Sequence, residues 1–365
     1  MVSGGRRSGA LVALATVLAL LTGCGSATSG TPRPPAGDLT ARIEAFLGAG
    51  GPARHRPPTA VLVDVGGELR YVHGDPASRG NVRSVTKSVL ATLVGIAVDD
   101  GRIAGVDRTL AELLPDHAPA MPGPIRTATL HQVLTMTAGT VADGPAAASP
   151  PGPAEDWARR ALTLGPQSSP GGGFVYSTTG SHLLSAVVTA ATGTSVRDYA
   201  RRELFAPLGI GARGAGIAWT ADPQGRPLGG TGLELSASDM LALGRLYRAG
   251  GLWDGRRLLS AEWVAAATRP QVRTGVAPAG YGYQWWTTTA GGCPAFVAAG
   301  TGGQLIEVVP DLDLVVVVRT EVGDRAVASW PDYAGLVDSV IAPAVAGPAV
   351  RAPANALSAP TGCAG

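Results

Sequence analysis

Hydrophobic residues follow a strand-like period near both ends of this chain. The strand-like runs are residues 59–65, 68–72, 281–287, 304–309 and 314–318. The first two runs flank a pair of glycines, which is typical of a β-hairpin. The last two flank the turn sequence Pro-Asp-Leu-Asp and predict a second hairpin.

Helical spacing dominates the middle of the chain. Val85, Val89, Leu93 and Ile96 recur every three or four residues and predict a helix that ends at an Asp-Asp-Gly sequence. This helix is apolar on most sides, which is typical of a helix buried inside a domain. Further helices are predicted over residues 39–47, 182–191, 196–205, 237–248, 261–268 and 334–341.

This order of elements predicts an α+β fold. A single sheet is built from both ends of the chain, with helices on its faces and an all-α subdomain inserted at about residues 107–230. The chain has 365 residues, 45% of them hydrophobic, which is enough for one large domain or two subdomains. Its net charge of +2 and the lack of a basic run argue against nucleic acid as a partner. The five histidines do not cluster at ligand spacing, so neither a metal nor another cofactor is predicted.

The N-terminal residues have the pattern of an export signal. Arg6 and Arg7 precede an apolar run at residues 10–21 that ends in Leu-Thr-Gly-Cys. This ending resembles the bacterial lipobox, so we expect a signal peptide at residues 1–23, lipidation of Cys24 and anchoring to the outer face of the bacterial cell membrane. The alternative is an ordinary cleaved signal peptide with an incidental cysteine.

The remaining boundaries follow from composition. A flexible tether is expected at residues 24–37, a folded domain at 38–343 and a Pro/Ala-rich tail at 344–365. Cys293 and Cys363 lie beyond the lipobox. In an exported protein they either form a disulfide or remain two free thiols.

Lys87 is the only lysine in the chain, and the other 28 of the 29 basic residues are arginine. Arginine stays protonated in proteins, whereas a lysine amine can lose its proton and act as a base. Ser84 lies three residues earlier, on the same face of the predicted helix and at its N-terminus. A hydroxyl beside an amine is the arrangement that activates a serine nucleophile. The alternatives are a capping serine and a lysine left over from a coding bias.

Several segments together resemble the penicillin-recognising serine hydrolases, in particular the class C β-lactamase, D-alanyl-D-alanine peptidase and esterase group. Ser-Val-Thr-Lys at residues 84–87 matches the family's Ser-x-x-Lys, and residues 174–180 lie where the family has Tyr-x-Asn. Residues 129–139, 233–239, 250–255, 281–286 and 300–310 also fit the family's order and spacing. The resemblance covers roughly residues 38–343 and implies a mainly antiparallel sheet of the β-lactamase/transpeptidase type.

The resemblance also implies roles for individual residues. Ser84 is expected to be the acyl-accepting nucleophile, Lys87 the amine that takes or relays its proton, and Tyr176 a proton shuttle. The backbone N–H groups of Ser84 and Gly303 are expected to form the oxyanion hole. The substrate is expected to contact Thr178, Gly300, Thr301 and Gly302.

Two departures from the family pattern bear on the substrate. Thr178 stands in place of the family's asparagine, and Gly300 stands where the family has the lysine or histidine that helps hold a substrate carboxylate. These changes favour a small ester or amide over a penicillin or a D-Ala-D-Ala terminus.

The chain is therefore expected to be a monomeric, lipid-anchored serine hydrolase of the cell envelope. Its partners would be a small-molecule ester or amide, or a cell-wall-type substrate. One alternative is a β-lactamase or D-Ala-D-Ala carboxypeptidase. A second is a non-catalytic sensor or binding module. The aromatic residues Tyr283, Trp285 and Trp286 either line an acyl pocket or belong to the core.

Overall fold

A computed structural model describes residues 36–48, 57–142, 156–164, 166, 168–211, 216–276, 280–321 and 331–346. All of them belong to one compact unit, residues 33–352. Within these ranges, none of the helices has the length and apolar character needed to span a bilayer.

The unit is organised around an eight-stranded antiparallel sheet in the order β2-β1-β12-β11-β10-β9-β8-β7. Its strands are β1 (Pro58–Val65), β2 (Glu68–Gly74), β7 (Val272–Arg273), β8 (Gly280–Tyr281), β9 (Trp286–Ala290), β10 (Cys293–Gly300), β11 (Gln304–Val309) and β12 (Leu314–Thr320). Two short pairs lie outside it: β3 (Arg79–Asn81) with β4 (Glu234–Ser236), and β5 (Leu252–Trp253) with β6 (Arg256–Arg257). The predicted α+β class and both predicted hairpins are confirmed.

Helices cover the sheet and fill the chain between β3 and β4. They are α1 (Ala36–Gly48), α2 (Val85–Asp99), α3 (Leu110–Leu113), α4 (Gly123–Thr127), α5 (Leu130–Leu134), α6 (Trp157–Thr163), α7 (Thr178–Thr192), α8 (Val196–Ala200), α9 (Ala237–Arg248), α10 (Ala261–Thr268), α11 (Pro331–Leu336) and α12 (Ala342–Ala346). Single π-helical turns, Arg201–Phe205 and Val337–Ile341, continue α8 and α11.

The central strands β11 and β12 are buried on both faces, and each face of the sheet has its own core. Alternate residues of β12 divide between the two cores: Val315 and Val317 join the core that contains α2 and α9, while Val316 and Val318 join the one that contains α1 and α11. A strand buried on both faces has a continuous apolar run rather than an alternating pattern. β1 pairs with β12 along its length, so strands from early and late in the sequence are neighbours inside the sheet, one strand from the β2 edge.

Two strand predictions need correction. β10 was not predicted, because its sequence is rich in alanine and carries a proline, both of which are uncommon in strands. The predicted strand at residues 281–287 is interrupted, because Gln284 has a φ of 59° and turns the chain. The buried Gln284 side chain explains this turn: it donates to the carbonyl oxygens of Val133 and Leu134 and accepts from Ser181 Oγ at 2.8 Å.

Candidate active site

A tight turn presents Ser84 at the start of α2. Asn81 Oδ1 accepts a hydrogen bond from the Arg83 N–H at 2.8 Å, and Arg83 adopts the left-handed region with a φ of 51°. Ser84 is the N-cap residue of α2, but its hydroxyl makes no capping hydrogen bond. The structure therefore does not support the alternative that Ser84 is an ordinary capping serine.

Lys87 lies one turn into α2, with only 1% of the residue exposed. Its Nζ is 3.0 Å from each of three oxygens: Ser84 Oγ, Thr178 Oγ1 and the carbonyl oxygen of Gly230. No carboxylate contacts this amine in the part of the chain that the structure describes. The contacts connect Lys87 to three separate segments, namely the start of α2, the start of α7 and the loop before β4.

This arrangement suits an amine that accepts a proton from Ser84. A neutral amine has two N–H groups and one lone pair, and a carbonyl oxygen can only accept. One N–H must then point at the Gly230 carbonyl. When the Thr178 hydroxyl accepts the second N–H, the lone pair is left for the Ser84 hydroxyl.

The face of the Tyr176 ring contacts Lys87, whose Nζ lies 4.8 Å from the ring centroid. Within the described residues its hydroxyl makes no hydrogen bond to Ser84 or Lys87. The ring stacks on Trp286 with centroids 5.6 Å apart and planes 19° apart. Phe174 and Tyr281 complete a four-ring cluster beside the amine.

The core interpretation is right for two of the three aromatic residues named from the sequence. Trp285 and Tyr283 are 0% and 5% exposed and pack in the core on the α2 side of the sheet. Trp286 is half-buried and belongs to the aromatic cluster with Tyr176.

The segment before α7 is fixed by hydrogen bonds that place Tyr176 and Thr178. The N–H of Val175 donates to the carbonyl of Met136 at 2.8 Å. Ser177 donates through Oγ to the carbonyl of Val141 at 2.6 Å and accepts from the N–H of Gly180 at 2.8 Å as the N-cap of α7. Thr178 is consequently the first helical residue, and its hydroxyl holds the lysine amine.

Gly300 ends β10 against the turn that precedes Ser84. A Cβ built on Gly300 would lie 2.4 Å from the carbonyl oxygen of Val82 and 3.1 Å from Arg83 Cβ. The first of these contacts is with backbone, which cannot move aside cheaply. The position therefore has no room for the lysine or histidine of the family pattern. With glycine at this position, β10 packs closely against the turn that precedes Ser84.

The two backbone N–H groups predicted to form the oxyanion hole differ in their hydrogen bonding. The Ser84 N–H makes no hydrogen bond within the described residues and lies at the positive end of the α2 dipole. The Gly303 N–H donates to the carbonyl of Gly300 at 3.2 Å and closes the turn between β10 and β11. Gly302 and Gly303 have φ values of 95° and 94°, which favour glycine, and Thr301 is exposed at the tip of this turn.

Behind Gly230 lies a buried network that our sequence analysis missed. His182 Nε2 is 3.1 Å from Asp222 Oδ2, and His182 Nδ1 accepts from the Gly229 N–H at 3.3 Å. Arg226 binds Asp156 with both terminal nitrogens, at 2.8 and 3.2 Å. Burial raises the pKa of Asp222, but hydrogen bonds from His182 and from the Arg226 amide outweigh it, so its pKa lies below the usual range.

The sequence analysis considers the histidines only as metal ligands, and it places residue 230 at the end of the all-α subdomain. A histidine within a helical pattern carries no signal of its partner 40 residues away. In the described residues no group of three His, Cys, Asp or Glu side chains could hold a metal ion.

The three cysteines bear on the export and disulfide predictions. Cys293 is buried on β10, with 2% exposure. Cys24 and Cys363 lie outside the described residues, so the lipidation and the disulfide remain predictions.

The geometry agrees with comparisons to known proteins. The family model described as Beta-lactamase matches residues 39–334. The chain belongs to this family. It is 28% identical over 322 residues to penicillin-binding protein 4 of Amycolatopsis lactamdurans, covering 74% of this chain and 82% of that protein.

A second relative is the 6-aminohexanoate-dimer hydrolase of Paenarthrobacter ureafaciens, 27% identical over 284 residues and covering 70% of this chain and 68% of that protein. The crystal structure of a penicillin-binding protein homolog from Caulobacter crescentus superimposes with a TM-score of 0.66 at 19% identity. That match covers 86% of this chain and 99% of the other. The β-lactamase/transpeptidase-like fold is thus confirmed, and the family includes hydrolases.

Proposed function

We propose that this protein is a serine hydrolase that works through an acyl-enzyme on Ser84. The observation that carries the proposal is the 3.0 Å contact between Lys87 Nζ and Ser84 Oγ, made by a buried amine whose other two partners are oxygens. Membership in a family that includes hydrolases supports it.

The chemistry follows from the positions of these groups. The neutral Lys87 amine takes the hydroxyl proton as Ser84 Oγ attacks the substrate carbonyl carbon. The substrate carbonyl oxygen becomes negative and accepts a hydrogen bond from the Ser84 N–H. The Gly303 N–H becomes the second donor after its hydrogen bond to the Gly300 carbonyl breaks. The leaving group then departs with the proton held by the Lys87 ammonium. A relay of this proton through the Tyr176 phenol would need the hydroxyl to approach Lys87 Nζ, which faces the ring in this structure. Water hydrolyses the resulting ester and regenerates the free serine.

We propose a small, uncharged ester or amide as the substrate. The close contact between Gly300 and Val82 leaves no room for a carboxylate-binding side chain on β10. The half-buried rings of Phe174, Tyr176 and Trp286 offer an apolar wall beside the nucleophile. A relative named as a hydrolase of an aminohexanoate dimer is in keeping with an amide substrate.

A carboxylate-bearing substrate, such as a β-lactam or a D-Ala-D-Ala terminus, is the second candidate because of Arg83. This arginine directly precedes Ser84, its Nε is buried, and its side chain has no hydrogen bond or ion pair within the described residues. Burying part of a guanidinium without a hydrogen-bond partner is unfavourable in free energy, and a bound carboxylate would offset this unfavourable free energy. A relative named as a penicillin-binding protein also favours this candidate.

One pair of esters separates the two candidates. The probes are p-nitrophenyl hydrogen adipate and its methyl ester, which differ by one negative charge and one methyl group. If the substrate is uncharged, the protein turns over the methyl ester at least as well as the acid, and Arg83→Gln changes neither. If Arg83 binds a carboxylate, Arg83→Gln lowers kcat/KM for the acid alone by roughly ten- to hundred-fold. Arg256→Gln, at an exposed arginine on β6, is the charge-matched control.

A non-catalytic sensor is the remaining alternative, and the same experiment addresses it. A sensor either forms the acyl-serine without releasing it or never forms it, so neither ester is turned over. The Ser84→Ala variant supplies the background rate for this comparison.

We further propose that the mature protein is a monomer anchored to the outer face of the cell membrane through Cys24. Incorporation of a labelled fatty acid into the parent, and its loss in Cys24→Ala, would support the anchor. Equal labelling of both proteins would contradict it.

A further inference from the structure

We propose that His182 and Asp222 form a positioning pair that fixes the carbonyl group to which Lys87 is hydrogen-bonded. Gly229 donates its N–H to His182 Nδ1 at 3.3 Å, and the carbonyl of the following residue, Gly230, accepts from Lys87 Nζ at 3.0 Å. The histidine thus holds one end of a two-residue segment, and the catalytic amine is bound to the other end.

The hydrogen bonds define the tautomer of His182. Because Nδ1 accepts from a backbone amide, it carries no proton, and the ring hydrogen must be on Nε2. That N–H donates to Asp222 Oδ2 at 3.1 Å, in a site where the two side chains are 8% and 0% exposed. Asp222 therefore orients the imidazole so that its lone pair faces Gly229.

Asp222 is itself fixed by the loop that it organises. Its Oδ1 accepts from the N–H groups of Gln224 and Arg226 at 2.9 and 2.8 Å. Ser185 Oγ donates to the carbonyl of Pro227 at 2.7 Å, and Trp219 Nε1 donates to the carbonyl of Leu228 at 2.9 Å. The segment that leads into Gly229 is thus held to α7 and closed on itself.

Gly229 and Gly230 pack closely against α7. A Cβ on Gly229 would lie 2.2 Å from the carbonyl oxygen of Ser181, and one on Gly230 would lie 2.6 Å from Thr178 Cγ2. The segment is therefore pressed against α7. If the His182 hydrogen bond is lost, the Gly229 amide is left buried without an acceptor, and the segment must shift to find one.

Such a shift acts on the direction of the Lys87 lone pair. The Gly230 carbonyl can only accept, so it fixes one N–H of the neutral amine; with the Thr178 hydroxyl accepting the second, the lone pair faces Ser84 while both oxygens stay in place. Thr178 and His182 both lie on α7, one helical turn apart, so this helix positions both acceptors. His182 and Asp222 would then affect the rate of acylation without touching the substrate.

This inference rests on the proposed acyl-serine function, and two substitutions of His182 test it. Asparagine at position 182 places an oxygen near the original Nδ1 and keeps an acceptor for Gly229. Glutamine reaches Asp222 but leaves Gly229 without its acceptor. We expect His182→Gln to lower the acylation rate roughly ten- to hundred-fold while KM changes by less than about threefold, and His182→Asn to retain most of the rate.

His73→Gln is the matched control, because His73 also lies beside a carboxylate, that of Glu44 at 3.8 Å, and it belongs to β2 rather than to the network around Gly229. It should acylate like the parent. Equal losses in His182→Asn and His182→Gln, or losses that simply follow the melting temperature in all three variants, would overturn the inference.

A second readout does not depend on turnover. Lys87 is the only lysine, so lysine labelled with ¹³C at Cε gives one side-chain NMR signal for the whole protein. We expect this signal to move in His182→Gln and to stay near its parental position in His182→Asn and His73→Gln. If no ester is hydrolysed but the signal behaves in this way, the proposed function fails while the positioning role stands. If the signal is unmoved in His182→Gln, the positioning role fails whatever the activity.

Discussion

Replacing Lys87 with arginine keeps the positive charge in the site but removes the proton acceptor. The guanidinium remains protonated at any pH at which the protein is folded, so it cannot take the proton from Ser84. In a site with 1% exposure, the longer and planar group must also displace at least one of the oxygens that now lie 3.0 Å from Nζ.

Two magnitudes follow from this geometry. A positioned general base contributes about 10²- to 10⁴-fold to a rate, so acylation of Lys87→Arg should fall within that range. Overpacking a buried position costs about 1–3 kcal/mol of unfolding free energy. This is less than the roughly 5–15 kcal/mol that stabilises a typical domain, so the variant should remain folded.

The assay is the pre-steady-state release of p-nitrophenol from a short-chain ester, with thermal unfolding as the test of folding. Lys87→Met is the matched control, because it removes the charge and the base together while fitting the same space. Both variants should lose the rapid initial release of p-nitrophenol, the burst, that reports acylation. Our account of the lone lysine would be refuted by an Lys87→Arg protein that is folded and acylates within about threefold of the parent.

Three further predictions concern groups around the site and the sheet. Thr178→Val removes one acceptor of the lysine amine and should lower the acylation rate roughly tenfold, measured by the same burst; an unchanged rate would show that the hydroxyl does not hold the amine. Gly300→Ala brings a Cβ to 2.4 Å from the carbonyl oxygen of Val82, so urea unfolding should show a loss of about 1–3 kcal/mol; a variant as stable as the parent would argue against this packing. Burial and then the nearby charge of Asp338 raise the pKa of Glu307 from 4.5 to about 8. The unfolded chain therefore ionises first, and stability should fall as pH rises from about 4.5 to about 8 and level off above that. Glu307→Gln should flatten this fall in urea titrations across the range, and an identical slope in both proteins would contradict the assignment.

The sequence was enough to predict the helices and strands whose own hydrophobic pattern and end residues match their positions in the fold. α9 and α10 have the predicted limits, because each begins at a serine N-cap and carries one apolar face. The hairpin between β1 and β2 was equally clear, because two glycines separate two apolar runs. β10 was missed because its residues enter a strand only through pairing with β9 and β11 on either side.

The contacts of the candidate site are likewise of two kinds, those that the sequence could predict and those that it could not. Ser84 and Lys87 are three residues apart on one helix, so their contact could be predicted from spacing alone. Gly230 and His182 reach the lysine through contacts between residues distant in sequence, for which a single sequence carries no signal. The lack of space at Gly300 likewise depends on its approach to Val82.

The most direct test of the central claim is the mass of the protein after brief exposure to a slowly hydrolysed ester. The account predicts one added acyl group. After digestion of the protein, this group should lie on the peptide whose first residue is Ser84, and Ser84→Ala should gain no such group. An unmodified parent under conditions in which ester is consumed, or an acyl group that persists in Ser84→Ala, would contradict it.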